Sequence, residues 1–276
     1  MKRLLIRTIS GAVYVALIVT VLYLGKWTKN EHLGHFVSQV FFLLLAMTGI
    51  YETYHNLRVK GIVTNRAWGY ALGVICFVAV ALAATKLGFP AIVLSFCILA
   101  MAQLARHEEH PFETICYTML PILWVVVPLA LVPMIDKWDD GFNGYIMLVF
   151  ILIWVNDSFA YLTGMAFGKH KMTPRHSPNK TWEGTVGGIV CCIAAALLFG
   201  NMLTGQAVSL WKYLPLGILV GSIGTLGDLV ESMFKRYVGV KDSGKLIPGH
   251  GGLLDRFDSF VMVMPFAACY LLFLFL

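Results

Sequence analysis

Long apolar runs separated by short polar stretches set the pattern of the chain from its first residues. A helix that crosses a bilayer needs about 20 largely apolar residues. Stretches of that character run over Leu4–Leu24, Phe36–Tyr54, Trp68–Leu87, Phe89–Leu104, Thr114–Ile135, Gly144–Met165, Val186–Leu203, Leu214–Phe234 and Phe257–Leu276. Phe89–Leu104 is the shortest of them and admits a re-entrant reading. The first run follows Lys2 and Arg3, as a secretory leader would, but it is too long for one and has no small-x-small cleavage site. It reads as a retained span. The pattern therefore predicts an all-α polytopic membrane protein of about nine transmembrane helices.

Composition supports this. The 276-residue chain is 58% hydrophobic and 13% charged, whereas a soluble domain is about 45–50% apolar and about 25% charged. A soluble fold with a single core is excluded. With the N-terminus on the cytoplasmic side, most of the 21 Lys and Arg fall in cytoplasmic segments. Only Lys26, Lys29, Lys86, Lys137 and Lys212 fall on the other side. That is the asymmetry of the positive-inside rule, and it puts the C-terminus on the opposite side. The net charge of +6 is spread between apolar runs, which argues against nucleic acid as a partner and for anionic lipid head groups and phosphorylated substrates. The six cysteines lie in or beside apolar runs with no C-x-x-C spacing, so they read as packing residues.

Candidate chemistry concentrates in Gly227–Ser259, which holds four aspartates, one glutamate, five Lys or Arg and one histidine between two apolar runs. Ionisable groups at such a place mark a functional site. Asp228 and Glu231 are three residues apart and share one helical face, and Asp255 and Asp258 repeat that spacing at the start of the last span. For Asp258 a simple helix-dipole cap is an equal alternative. Carboxylates on neighbouring helices at the cytoplasmic edge are the hard oxygen ligands that Mg²⁺ takes beside phosphates. Between them lie Lys235, Arg236, Lys241 and Lys245, suited to phosphate oxygens, then His250 flanked by Gly249, Gly251 and Gly252. Gly221, Gly224 and Gly227 recur every third residue and read as a close helix-packing stripe rather than a phosphate loop.

A second polar stretch precedes it. Asp157 stands inside an apolar run, where it requires a partner such as Lys180 or a metal. Ser177, Lys180 and Thr181 make a hydroxyl-and-ammonium group fit for a triphosphate, although Thr181–Gly184 can equally start the next helix. His170 and His176 lack a metal-ligand spacing and read as interfacial. The run His107–His110 reads as a solvated loop, and Glu52 as an interfacial cap at the end of the second span. Neither a G-x-S-x-G nucleophile elbow nor an ATPase motif is present, so the residues point to electrostatic phosphoryl chemistry without a covalent enzyme intermediate.

The run S-M-F-K-R-Y-V-G-V-K-D-S-G-K-L-I-P-G-H-G-G-L-L-D-R-F-D, Ser232 to Asp258, resembles the signature of the phosphatidate cytidylyltransferase (CDP-diacylglycerol synthase) family. S-P-N-K-T-W-E-G-T-V-G-G, starting at Ser177, resembles a second region of the same family. The resemblance implies a multi-pass enzyme of the bacterial inner (cytoplasmic) membrane, a homodimer, that converts CTP and phosphatidate to CDP-diacylglycerol and pyrophosphate. It implies Mg²⁺ dependence with Asp228 and Asp255 as metal ligands, and a second cation such as K⁺ at the level of the family. Asp228, Asp255, Lys235 and Arg236 are then the expected catalytic residues. Asp157, Ser177, Lys180, Thr181, Glu231, Lys241, Asp242, His250, Gly251, Gly252, Arg256 and Asp258 are the expected substrate-phosphate and CTP contacts. The N-terminal helices, residues 1–135, would face lipid and the dimer partner. Residues 144–276 would form the catalytic region, with cytoplasmic loops 165–185 and 235–256.

On the residues alone, two other classes stay open. One is a transporter carrying a cation on Asp157, Asp228 and Asp255, and the other a membrane scaffold. A lipid kinase or a nucleotidyl transfer from another nucleotide is a further enzymatic reading.

Overall fold

The computed structural model describes residues 2–104, 106, 109–136, 144–205, 209–244, 246 and 251–275. Its helices are α1 (Lys2–Thr28), α2 (Glu31–Val59), α3 (Arg66–Ala83), α4 (Phe89–Leu104), α5 (Pro111–Pro121), α6 (Val127–Asp136), α7 (Gly144–Phe167), α8 (Trp182–Thr204), α9 (Leu214–Val238) and α10 (Leu254–Phe275). Widened π-helical turns join α3 to α4 (Ala84–Gly88) and α5 to α6 (Ile122–Val126). Each lies beside proline, Pro90 in the first case and Pro121 and Pro128 in the second. Proline lacks the N–H that would close a regular turn, and the wider turn absorbs the defect.

Among the described residues, eight helical segments are long and apolar enough to cross a membrane. The expected weak member, Phe89–Leu104, gains a turn from the π-helical segment and reaches full length as Lys86–Leu104. The short one is Arg66–Leu82 instead. The expected all-α polytopic architecture holds, with one addition. Lys171–Thr173 (β1) and Ser177–Thr181 (β2) pair antiparallel, with Thr173 opposite Ser177 and Lys171 opposite Thr181.

The chain divides into two compact units, residues 1–138 with 237–256 and residues 139–236 with 257–276. In the first, α2 packs against α1, α3 and α6. Asn30 caps α2 by accepting from the Leu33 N–H, which satisfies one of the unpaired donors at the helix start. The buried Tyr54 donates its hydroxyl to the Thr118 carbonyl at 2.7 Å, beside Gly69, where a side chain would occupy the space of the phenol. In the second unit, α7 and α8 pack along each other on either side of the β1–β2 hairpin. Thr181 caps α8, its hydroxyl accepting from Gly184 N–H at 3.2 Å, so the residue starts a helix as its sequence context allows.

The glycine stripe on α9 is a packing device, as its spacing suggests. A Cβ at Gly221 would lie 3.0 Å from the Ile189 Cα of α8. One at Gly227 would lie 2.9 Å from the Asp258 carbonyl and 3.0 Å from the Ser259 Cα of α10. Absent side chains let the backbones approach. The stacked rings of Phe150 and Phe260, 4.2 Å between centroids, pack α7 against α10.

Candidate active site

Close contact of α9 with α10 brings carboxylates from both helices together. Ligating oxygens of Asp228, Glu231 and Asp258 all lie within 4.8 Å of one another. Asp228 and Glu231 follow Gly227 on one face of α9, and Asp258 sits on α10 beside the residues Gly227 touches. Asp258 thus lies close to Asp228 across the helix pair, while its Oδ1 accepts from the Ser259 N–H at 2.6 Å near the start of α10.

Carboxylates gathered so closely repel, and two of them pair with cations. Lys180, at the end of β2, places Nζ 2.7 Å from Asp228 Oδ2 and donates to the Thr225 carbonyl at 3.0 Å. Lys235 forms an ion pair with Glu231 one turn along α9. Glu231 is 1% exposed, so its charge sits in a low-dielectric setting where a partner is required. The Ser232 hydroxyl donates to Asp228 Oδ1 at 3.3 Å. Asn156 of α7 and Ser259 of α10 brace the α9 backbone, Asn156 Nδ2 donating to Thr225 Oγ1 at 3.2 Å and Ser259 Oγ to the Gly224 carbonyl at 3.0 Å. Sequence reading passed over Asn156 and Thr225, whose only signal is polarity inside apolar runs.

The β1–β2 hairpin that presents Lys180 is tied at its base. Glu183 accepts from the Lys169 N–H at 3.1 Å and from the His170 N–H at 3.2 Å, and meets His170 Nδ1 at 2.5 Å. His170 therefore serves the hairpin. Ser177 is half-buried in the strand pair, and the Thr181 hydroxyl is taken up by the α8 cap. Asp157 is exposed on α7, one position beyond Asn156. Arg236 is exposed in the last turn of α9.

Residues of the first unit form a different arrangement around Ser243. Asp255 Oδ2 accepts from Ser243 N–H at 2.9 Å, from Gly252 N–H at 2.8 Å and from the Ser243 hydroxyl at 2.9 Å. Glu52, in the interior of α2, accepts from the N–H groups of Leu253 at 2.8 Å and Leu254 at 2.9 Å. It is 3% exposed, so the expectation of an interfacial cap is corrected: its bonds reach a segment 201 residues away. Gly251 has φ +86°, a conformation glycine adopts freely. Lys241, Asp242 and Arg256 are exposed. His250 and Lys245, together with His107, lie outside the described residues.

The model of the cytidylyltransferase family matches residues 5–274. Proteins named phosphatidate cytidylyltransferase from Staphylococcus saprophyticus and Staphylococcus epidermidis are 40% identical over 174 residues. One of the same name from Staphylococcus aureus is 38% identical over the same length. These matches span 63% of this chain and 65% of each relative, a little under two thirds of their length. With the family match running over nearly the whole sequence, the chain belongs to the cytidylyltransferase family.

Proposed function

We propose that the protein transfers the cytidylyl group of CTP to phosphatidate, releasing pyrophosphate and making CDP-diacylglycerol for phospholipid biosynthesis. The observation that carries this reading is the oxygen cluster of Asp228, Glu231 and Asp258, flanked by Lys180 and Lys235, in a polytopic member of the cytidylyltransferase family. The names of its relatives support phosphatidate as the acceptor.

The donor set fits Mg²⁺. Three carboxylates with oxygens this close are hard ligands, and two lysines offset only part of their charge. Asp228, Glu231 and Asp258 would hold the ion, which when bound neutralises phosphate oxygens and polarises the phosphorus under attack. Asp255 carries a ligand expectation of its own from the signature, and its loop bonds are of the kind that orient a ligating carboxylate. A second cation such as K⁺ follows from the resemblance alone.

In the reaction a phosphate oxygen of phosphatidate forms a bond to the α-phosphorus of CTP as the bond to the pyrophosphate oxygen breaks. Both partners are anions, so catalysis is chiefly positioning and charge stabilisation. Lys180 and Lys235 supply positive charge beside Asp228 and Glu231, with which they pair. Arg236, Lys241 and Arg256 are proposed phosphate contacts on the strength of the signature. Distribution of Lys and Arg supports a reaction at the cytoplasmic edge of a bacterial inner membrane, and the resemblance supports a homodimer.

The test is turnover of purified protein in detergent with phosphatidate, Mg²⁺ and each of the four ribonucleoside triphosphates, following lipid-linked nucleotide. CTP is expected to give product and ATP, GTP and UTP little. Folded protein that makes no lipid product with CTP would overturn the reading.

A further inference from the structure

Glu52 stands in a membrane-length apolar helix, and among the described residues none of its bonds involves a Lys or Arg. A carboxylate buried to 3% exposure costs several kcal/mol unless its lone pairs are met. Here Oε1 takes the Leu253 N–H and Oε2 the Leu254 N–H, two of the donors that the start of α10 leaves without intrahelical partners. Glu52 is therefore the N-terminal cap of α10, supplied from α2. One turn further along α2, Asn56 Nδ2 donates to the Ser243 carbonyl at 2.9 Å. Two residues of one helix face thus grip both ends of the segment 243–254.

Ser243 links this grip to Asp255. Its hydroxyl has one proton for two carboxylates, Glu52 Oε2 at 3.2 Å and Asp255 Oδ2 at 2.9 Å. Two glycines show how closely the parts fit. A Cβ on Gly244 would lie 2.5 Å from Glu52 Oε1, and one on Gly252 would lie 2.2 Å from Ser243 Oγ and 2.7 Å from Glu52 Oε2. Any shift of the Glu52 carboxylate is transmitted to both glycines and, through Ser243, to Asp255.

We propose that Glu52 and Ser243 are positioning residues for the cytidylyl transfer: Glu52 caps α10 and, with Ser243, fixes residues 243–244 and 251–254 and the orientation of the Asp255 carboxylate. The role of Asp255 in the reaction rests on the reading above; the clamp itself does not.

The test compares wild type, Glu52→Gln and Ser243→Ala in two arms. The first is amide hydrogen exchange without substrate. Glu52→Gln keeps the size of the side chain but turns one acceptor into a donor facing an N–H, and exchange across 243–244 and 251–254 is expected to rise at least about tenfold. Exchange in α7 and α8 should stay unchanged. The second arm is kinetics per folded molecule. Both variants are expected to lose roughly 10–100-fold in kcat and to need roughly 10-fold more Mg²⁺ for half-maximal rate, the scale of losing an outer partner of a ligand. The KM for CTP should stay within about twofold, because no CTP contact is removed.

Unchanged exchange in the 243–254 segment of Glu52→Gln overturns the clamp. Faster exchange with wild-type kcat and Mg²⁺ dependence leaves a purely structural cap and overturns the positioning role. Should Glu52→Gln not fold, Ser243→Ala decides both points by the same readouts. A wild-type protein inactive with CTP would sink the functional reading, yet the exchange arm would still report on the clamp.

Discussion

Two groups of carboxylates in this chain are held by opposite means. Asp228 and Glu231 pair with the ammonium groups of Lys180 and Lys235, and Asp258 lies beside them. Glu52 is met by backbone N–H groups and one serine hydroxyl, and Asp255 Oδ2 accepts bonds of the same kind. An ammonium is a mobile point charge on a flexible stem, which a metal ion or substrate can displace. Backbone N–H groups are part of the fold, and a carboxylate that satisfies them is not released without moving the chain. Identical side-chain chemistry thus yields a group whose partners can be exchanged in one place and a fixed joint in the other.

The sharpest way to break this contrast is Asp228→Asn. It should lower turnover by roughly 10³-fold or more, the scale of removing a charged group beside a transferring phosphoryl, and should weaken Mn²⁺ binding measured by electron paramagnetic resonance. Near-normal rate and Mn²⁺ binding in a folded variant would remove the cluster from the reaction. Next in size is Lys180→Met, which should cost roughly 10²-fold in kcat. Because it removes a cation competing for Asp228, Mn²⁺ should bind at least as tightly as before; weaker binding would mean that Lys180 organises the cluster rather than neutralising it. Smaller again is Gly227→Ala, which puts a methyl against the α10 backbone. It should destabilise by about 1–3 kcal/mol in reversible unfolding, and activity should fall with it, since the two carboxylate-bearing helices are forced apart. Smallest is Thr181→Ala, expected to cost about 1 kcal/mol of stability through loss of the α8 cap, with KM for CTP little changed if the hydroxyl serves the helix. A large rise in that KM would give Thr181 a substrate contact as well.

How much of this was legible beforehand follows from the range of each interaction. Spans are written in runs of about 20 residues, and most of the helices follow them closely. The assignment of weakness to Phe89–Leu104 missed because the sequence shows a proline but not the π-helical turn that lengthens this helix and leaves Arg66–Leu82 short. Asp228 and Glu231 could be paired by helical spacing, as could Asp255 with Asp258. What spacing could not show is that α9 and α10 select Asp258 as the neighbour of Asp228, while the Asp255 carboxylate accepts bonds from Ser243 and Gly252. One helical turn separates two different duties. Lys180 was recognisable as a partner for an aspartate, and it pairs with Asp228, 48 positions on, because a hairpin carries the lysine there. Glu52 was the clearest oversight. The rule that marked Asp157, an ionisable residue within an apolar span, applies equally to it.

The backbone contact at Gly227 has a further consequence for ion choice. A Cβ there would meet the Asp258 carbonyl and the Met262 Cβ at 2.9 Å and the Ser259 Cα at 3.0 Å, so the backbones that carry Asp228 and Asp258 already touch at this point. Mg²⁺ holds oxygens at about 2.0–2.1 Å and Ca²⁺ at about 2.3–2.6 Å, with more of them. Widening the cage at this point takes turning the two carboxylates or parting the helices that carry them. Gly227 would then contribute to size discrimination between the two ions without a side chain of its own.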